Sequence, residues 1–123
     1  MHVVHQAADQ SLLVVGVLMD EGAADPTIDL LLADDPGHEA EARCSDRVHL
    51  RDIVPVGDSF YHYEGSLTTP SCGEGVQWFV ASEHQSASAE QAEHWQDLFG
   101  GTTNRPIQPL NGRTVYLLEA SQR

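Results

Sequence analysis

The sequence predicts a mainly β fold with short peripheral helices. Apolar runs of strand length recur along the chain, the longest being Leu-Leu-Val-Val-Gly-Val-Leu-Met at Leu12 to Met19. Helix-start signals are few: Asp25-Pro26, and Ser88 with Gln91 three residues later. Hydrophobic residues make up 41% of the 123, which is enough for a core and argues against wholesale disorder.

Met1 to Gln6 alternates in the manner of a strand, and Ala7 to Gln10 reads as a turn with Asp9 its best turn residue. Leu12 to Met19 is apolar on both faces, as expected of a central strand covered on both sides. The short spacing between these two predicts an antiparallel hairpin. Asp25 followed by Pro26 is an N-cap with proline at the first helical position, and the short helix would turn Ile28, Leu31 and Leu32 inward. Asp34 to Ser45 is polar and acidic, hence loop, and Leu50 to Pro55 is a short turn leading into the next strand. Phe60 to Tyr63 reads as strand, Gly65 to Gly75 as a loop, and Val76 to Ala81 as strand again. Ser88 with Gln91 forms a capping box for a helix running through Trp95 to Phe99, stopped by Gly100-Gly101. Thr114 to Leu118 is a final strand.

The charge narrows the range of partners. The net charge is −13 and lysine is absent, so nucleic acid and anionic membranes repel the surface. No apolar run approaches a membrane span, and Met1-His2 opens a strand-like run rather than a basic signal region. Two cysteines, Cys44 and Cys72, do not make a disulfide scaffold.

His2 and His5 invite a metal-site reading, but strand alternation places His2, Val4 and Gln6 on one face and Val3 and His5 on the other. The two imidazoles therefore do not chelate one ion. His84 and His94 fall on a solvated loop and helix, and His-x-His occurs nowhere in the chain.

The stretch Tyr63-Glu64-Gly65-Ser66-Leu67-Thr68-Thr69-Pro70, followed by Gly75-Val76-Gln77-Trp78, resembles the active-site loop and strand of the α-class carbonic anhydrases. Met1-His2-Val3-Val4-His5, Leu12 to Gly22, and the run from Asn104 to Arg113 match in the same order, the last resembling the closing signature of bacterial members. The resemblance implies a large, mostly antiparallel sheet with peripheral helices. It begins partway into that domain, so residues 1–123 would be its C-terminal part, roughly half, with the N-terminal half absent.

The implied reaction is reversible, zinc-dependent hydration of carbon dioxide to bicarbonate, a lyase activity. By resemblance His2 is one of three zinc ligands, and His5 holds a supporting position away from the metal. The other two ligands belong to a His-x-His pair upstream, and the isolated chain is expected to be inactive without them. Thr68 matches the threonine whose hydroxyl hydrogen-bonds the zinc-bound hydroxide, with its backbone N–H toward a substrate or anion oxygen. Thr69 matches a residue that lines the cavity and contacts bound anions. Val4, Val14, Leu67, Val76 and Trp78 match the apolar wall that holds carbon dioxide, a small molecule offering little to bind but apolar surface. Cys72 matches a position that many bacterial members pair with an N-terminal cysteine; a Cys44–Cys72 bond is the alternative. The family implies a periplasmic or secreted location. Two other readings are a non-catalytic remnant serving as a binding module, and a small acidic metal-binding protein.

Overall fold

The structure is a computed structural model that describes residues 1–33, 48–55 and 59–119. Ten elements follow in chain order: strands β1 (His2–Gln6), β2 (Leu12–Gly16) and β3 (Met19–Glu21), helices α1 (Pro26–Ala33) and α2 (Leu50–Ile53), strands β4 (Ser59–Ser66), β5 (Glu74–Ala81) and β6 (Gln85–Ala87), helix α3 (Ala89–Leu98), and strand β7 (Tyr116–Glu119). The main sheet has five strands in the order β1-β2-β5-β4-β7, and β3 pairs β6 in a separate ribbon.

β1 and β2 form the expected antiparallel hairpin, closed by Ala7 N–H on Ser11 O at 3.0 Å, with the Asp9 carboxylate accepting from Ser11. β2 runs parallel to β5, while β5–β4 and β4–β7 are antiparallel, so the sheet is mixed. Residues directly opposite across neighbouring strands share a face. Val4, Val14, Trp78 and Tyr63 therefore make one row, and His2, Gly16, Val80 and Tyr61 the next. The core of that face is Val14, Val76 and Trp78, with Leu12, Tyr63, Leu67 and Val80 packed around them. The opposite face carries His62 stacked on Phe79 with ring centroids 4.5 Å apart.

Both capped helices form. Asp25 Oδ1 accepts from Thr27 N–H at 2.7 Å, and Pro26 opens α1. Ile28 and Leu32 are buried, while Leu31 is half-buried. Ser88 and Gln91 make the reciprocal capping box of α3. The Gln91 side chain is 5% exposed and also joins the helices, accepting from Asp25 N–H and donating to Asp25 O and Asp29 Oδ1.

Four expectations need correction. The apolar run Leu12 to Met19 is not one strand: pairing with the first strand ends at Val17, whose N–H bonds Met1 O at 2.9 Å, and Leu18 O turns to accept from Gln85 N–H. The chain changes sheets at Leu18, a switch that an unbroken apolar run conceals. Leu50 to Pro55 holds a four-residue helix rather than a turn, with Asp52 N–H on His49 O and Ile53 buried. The loop is shorter than Gly65 to Gly75, because β4 runs on to Ser66 and β5 starts at Glu74. The last strand is Tyr116–Glu119 rather than Thr114 to Leu118. β6, Gln-Ser-Ala, has no apolar pattern to announce it and exists through its pairing with β3. The acidic stretch Asp34 to Ser45, including Cys44, lies outside the described residues.

Candidate active site

The loop that carries Thr68 is set by the strands on either side of it. Gly65 pairs Val76 and Ser66 pairs Glu74, so Gly75 is an extra residue in β5. Its φ of +85° is one that glycine adopts without steric cost. This bulge lets the loop close on itself: Leu67 N–H donates to Gly73 O at 2.9 Å and Cys72 N–H to Thr69 O at 2.7 Å. Thr68 and Thr69 stand exposed between those two bonds. Cys72 is half-buried with φ +57°.

Trp78 sets the floor of the site. Its ring stacks on Tyr63 with planes 4° apart and centroids at 6.2 Å, and the His2 imidazole meets it edge-on at 4.8 Å. The indole N–H donates to Ser66 O at 3.0 Å, which ties the floor to the start of the loop. Two glycines make room for the indole. A Cβ on Gly65 would lie 3.0 Å from Trp78 Cδ1 and 3.0 Å from Tyr63 Cε2, and one on Gly16 would lie 3.6 Å from Trp78 Cζ3.

His2, Trp78, Tyr63, Ser66 and Thr68 line one open cleft of about 420 Å3. Arg105 and Arg113 line it too, and no carboxylate does so among the described residues. In a chain of net charge −13 this is a locally cationic concavity, suited to a small anion. Burial lowers the pKa of His2, which favours its neutral imidazole. Burial raises the Tyr63 phenol above its ordinary value, an effect that Arg113 partly offsets.

The residues singled out from sequence separate into three places. His2, Thr68 and Trp78 come together on the cleft. Val14 and Val76, each 1% exposed, lie in the core, with Leu67 half-buried against them. Val4 is 59% exposed: it sits beside Val14 on the outermost strand, where no described residue covers it. Thr69 is at the loop surface. His62 faces away from the cleft, its Nδ1 against Trp78 O at 3.1 Å. His84 pairs with Asp20 at 3.1 Å on the surface.

Sequence assigns no role to the two arginines of the run from Asn104 to Arg113. Arg105 Nη1 donates to Ser66 Oγ at 2.6 Å and Leu67 O at 3.2 Å. Arg113 donates to Glu64 O, Leu110 O and Pro109 O. The available signal was compositional: in a chain with six arginines and no lysine, two of the arginines fall in one ten-residue span, Asn104 to Arg113, with Asn111 and Gly112 beside the second.

A catalytic zinc takes three protein ligands. Among the described residues no three His, Cys, Asp or Glu side chains come together, and the cleft holds the single imidazole of His2. The described residues therefore fit one ligand position and do not by themselves make a zinc site.

Comparison with known proteins places this geometry. The model of the eukaryotic-type carbonic anhydrase family matches residues 2–119. A carbonic anhydrase of Pectobacterium atrosepticum is 36% identical over 115 residues, covering 93% of this chain and 47% of that protein. Among solved structures, a hyperthermostable carbonic anhydrase from an active hydrothermal vent chimney superposes with a TM-score of 0.89 at 39% identity, over 96% of this chain and 53% of that one. The α-carbonic anhydrase of Thermovibrio ammonificans, in complex with the inhibitor sulfanilamide, superposes with a TM-score of 0.84 at 36% identity, over 93% of this chain and 51% of that one. The chain thus spans about half the length of the relatives it matches.

Proposed function

The chain belongs to the eukaryotic-type carbonic anhydrase family, and from that premise we propose that it forms the C-terminal part of a carbon dioxide hydration site. The observation that carries the reading is the meeting of His2, Thr68 and Trp78, from three separate segments, on one cleft with a cationic rim. In this reading His2 is one of three ligands of a zinc ion, whose bound form supplies a water acidic enough to give hydroxide near pH 7. The other two ligands come from polypeptide outside the described residues, and the chain by itself is inactive.

The chain's own residues then do three things. The Thr68 hydroxyl, acceptor and donor at once, accepts from the attacking hydroxide and fixes the direction of its lone pair. Trp78, backed by Val14, Val76 and Leu67, presents apolar surface that holds carbon dioxide beside that oxygen without competing polar contacts. The Thr68 amide and the arginine-lined rim stabilise the anionic product as charge develops on its oxygens.

Stopped-flow hydration with a pH indicator tests this, on the chain joined to the N-terminal half of a bacterial relative and supplied with zinc. Thr68→Ala should lower kcat/KM roughly a hundredfold, the order seen on removing one positioned hydrogen-bonding group. A folded, zinc-loaded protein indifferent to Thr68→Ala would overturn the assignment. For the chain alone, equilibrium dialysis should show no stoichiometric zinc at sub-micromolar free metal; tight zinc abolished by His2→Ala would overturn the claim of inactivity.

A further inference from the structure

We propose that Arg105 is a positioning residue that orients the Thr68 backbone amide toward the substrate. One nitrogen, Nη1, donates both to Ser66 Oγ at 2.6 Å and to Leu67 O at 3.2 Å. Leu67 O and Thr68 N–H are the two ends of one peptide unit, which is planar with N–H and C=O pointing in opposite directions. A group that fixes the carbonyl end fixes the direction of the amide end. A cation there also draws charge toward the carbonyl oxygen and leaves the amide hydrogen a stronger donor.

The peptide before it, Ser66–Leu67, is fixed at both ends, and Arg105 holds the carbonyl end of the next one. The preceding carbonyl, Ser66 O, accepts from the Trp78 indole, and Leu67 N–H is bonded to Gly73 O. Glu64 O, two residues further back, accepts from Arg113 Nη1 at 3.2 Å. Carbonyls 64, 66 and 67 are thus each capped by a side chain, and Arg105 caps the one whose peptide carries the Thr68 amide. Arg105 is distant in sequence, 38 residues from Leu67, and reaches the loop across the cleft's own rim. The segment that carries Arg105 therefore sets the geometry of the loop that faces substrate. This inference rests on the reading of Thr68 as the residue at the reacting centre.

The test has a spectroscopic arm and a kinetic arm. The spectroscopic arm uses the 123-residue chain, labelled with 15N and 13C, as wild type, Arg105→Gln and Arg105→Lys. In the wild type the Thr68 amide should have an order parameter near the rigid value of about 0.85, and in Arg105→Gln it should fall below about 0.6 while the amides of β5 keep theirs. Both bonds leave a single nitrogen, so the ammonium of Arg105→Lys should recover much of the order. A mobile Thr68 in the wild type, or a Thr68 equally rigid in a folded Arg105→Gln, overturns the inference. Should Arg105→Gln not fold, Arg105→Lys decides: changing the donor must move the Leu67 carbonyl 13C and Thr68 15N shifts, and no change at either overturns it.

The kinetic arm uses the zinc-supplied, joined protein. Arg105→Gln should lower kcat about tenfold with KM little changed, and Arg105→Lys should restore most of it. Absence of hydration in the wild type would count against the proposed function, while the spectroscopic comparison would still decide the role of Arg105.

Discussion

Adding one methyl group at Gly65 tests whether the floor of the cleft and the start of the loop form one packed unit. Gly65 is buried in β4, and a Cβ built there lies 3.0 Å from Trp78 Cδ1, 3.0 Å from Tyr63 Cε2 and 3.3 Å from Trp78 Nε1. The indole is the more confined of the two rings. Tyr63 and Trp78 are stacked on each other, and the indole is 5% exposed with its N–H committed to Ser66 O at 3.0 Å. Overpacking of this kind costs about 1–3 kcal/mol. Displacing the indole weakens a bond that contributes about 0.5–1.5 kcal/mol. The lower unfolded-state entropy of alanine offsets about 0.4–1 kcal/mol. Gly65→Ala should therefore destabilise the protein by about 2 kcal/mol. Urea denaturation followed by tryptophan fluorescence reads this as a midpoint lower by about 1–2 M, for a slope at the low end of the small-protein range. Gly73→Ala is the control, because a Cβ there meets nothing within 4 Å, and its change should stay within about 0.5 kcal/mol. If Gly65→Ala matched the control, the indole would not be confined as described, and the coupling of floor to loop would fail with it.

Two further outcomes follow from the same structure. Gln91→Ala removes four side-chain bonds, three to Asp25 and Asp29 at the start of α1 and one to Ser88 N–H within the capping box of α3, and it should cost about 2–4 kcal/mol in the same denaturation assay; a loss under about 0.5 kcal/mol would show that water replaces the amide. Burial raises the Tyr63 pKa above 10.0, so the neutral phenol is favoured in the folded state. Its contribution to stability is full below pH about 10 and is lost as pH rises through the folded value. Spectrophotometric titration at the tyrosinate band should therefore lose a component lying above the ordinary phenol value in Tyr63→Phe, and loss of a component at or below that value would refute the burial argument.

Much of the architecture was determined locally and was legible in the residues. Asp25-Pro26 and Ser88 with Gln91 carry their helix starts in their own side chains, and both helices form there. The β1–β2 hairpin follows from two adjacent strand patterns and a short turn. The family was legible for a different reason. The run from Tyr63 to Pro70 and the run from Gly75 to Trp78 keep their residue types in order, and a family match needs no geometry.

What the tertiary structure decided is everything that depends on a partner distant in the chain. The switch of sheets at Leu18 depends on Leu18 O meeting Gln85 N–H, and β6 exists only because β3 lies beside it. Burial of the valines was decided the same way: Val4 and Val14 occupy one row of one face, yet Val14 is 1% exposed and Val4 59%, because Val14 lies on β2, flanked by β1 and β5, and Val4 on the outermost strand. The capture of Leu67 O by Arg105 was beyond reach from sequence. An arginine within a recognisable run announces a charge, but the carbonyl it caps is fixed by how the closing segment folds back over the loop, and residue order carries no record of that path.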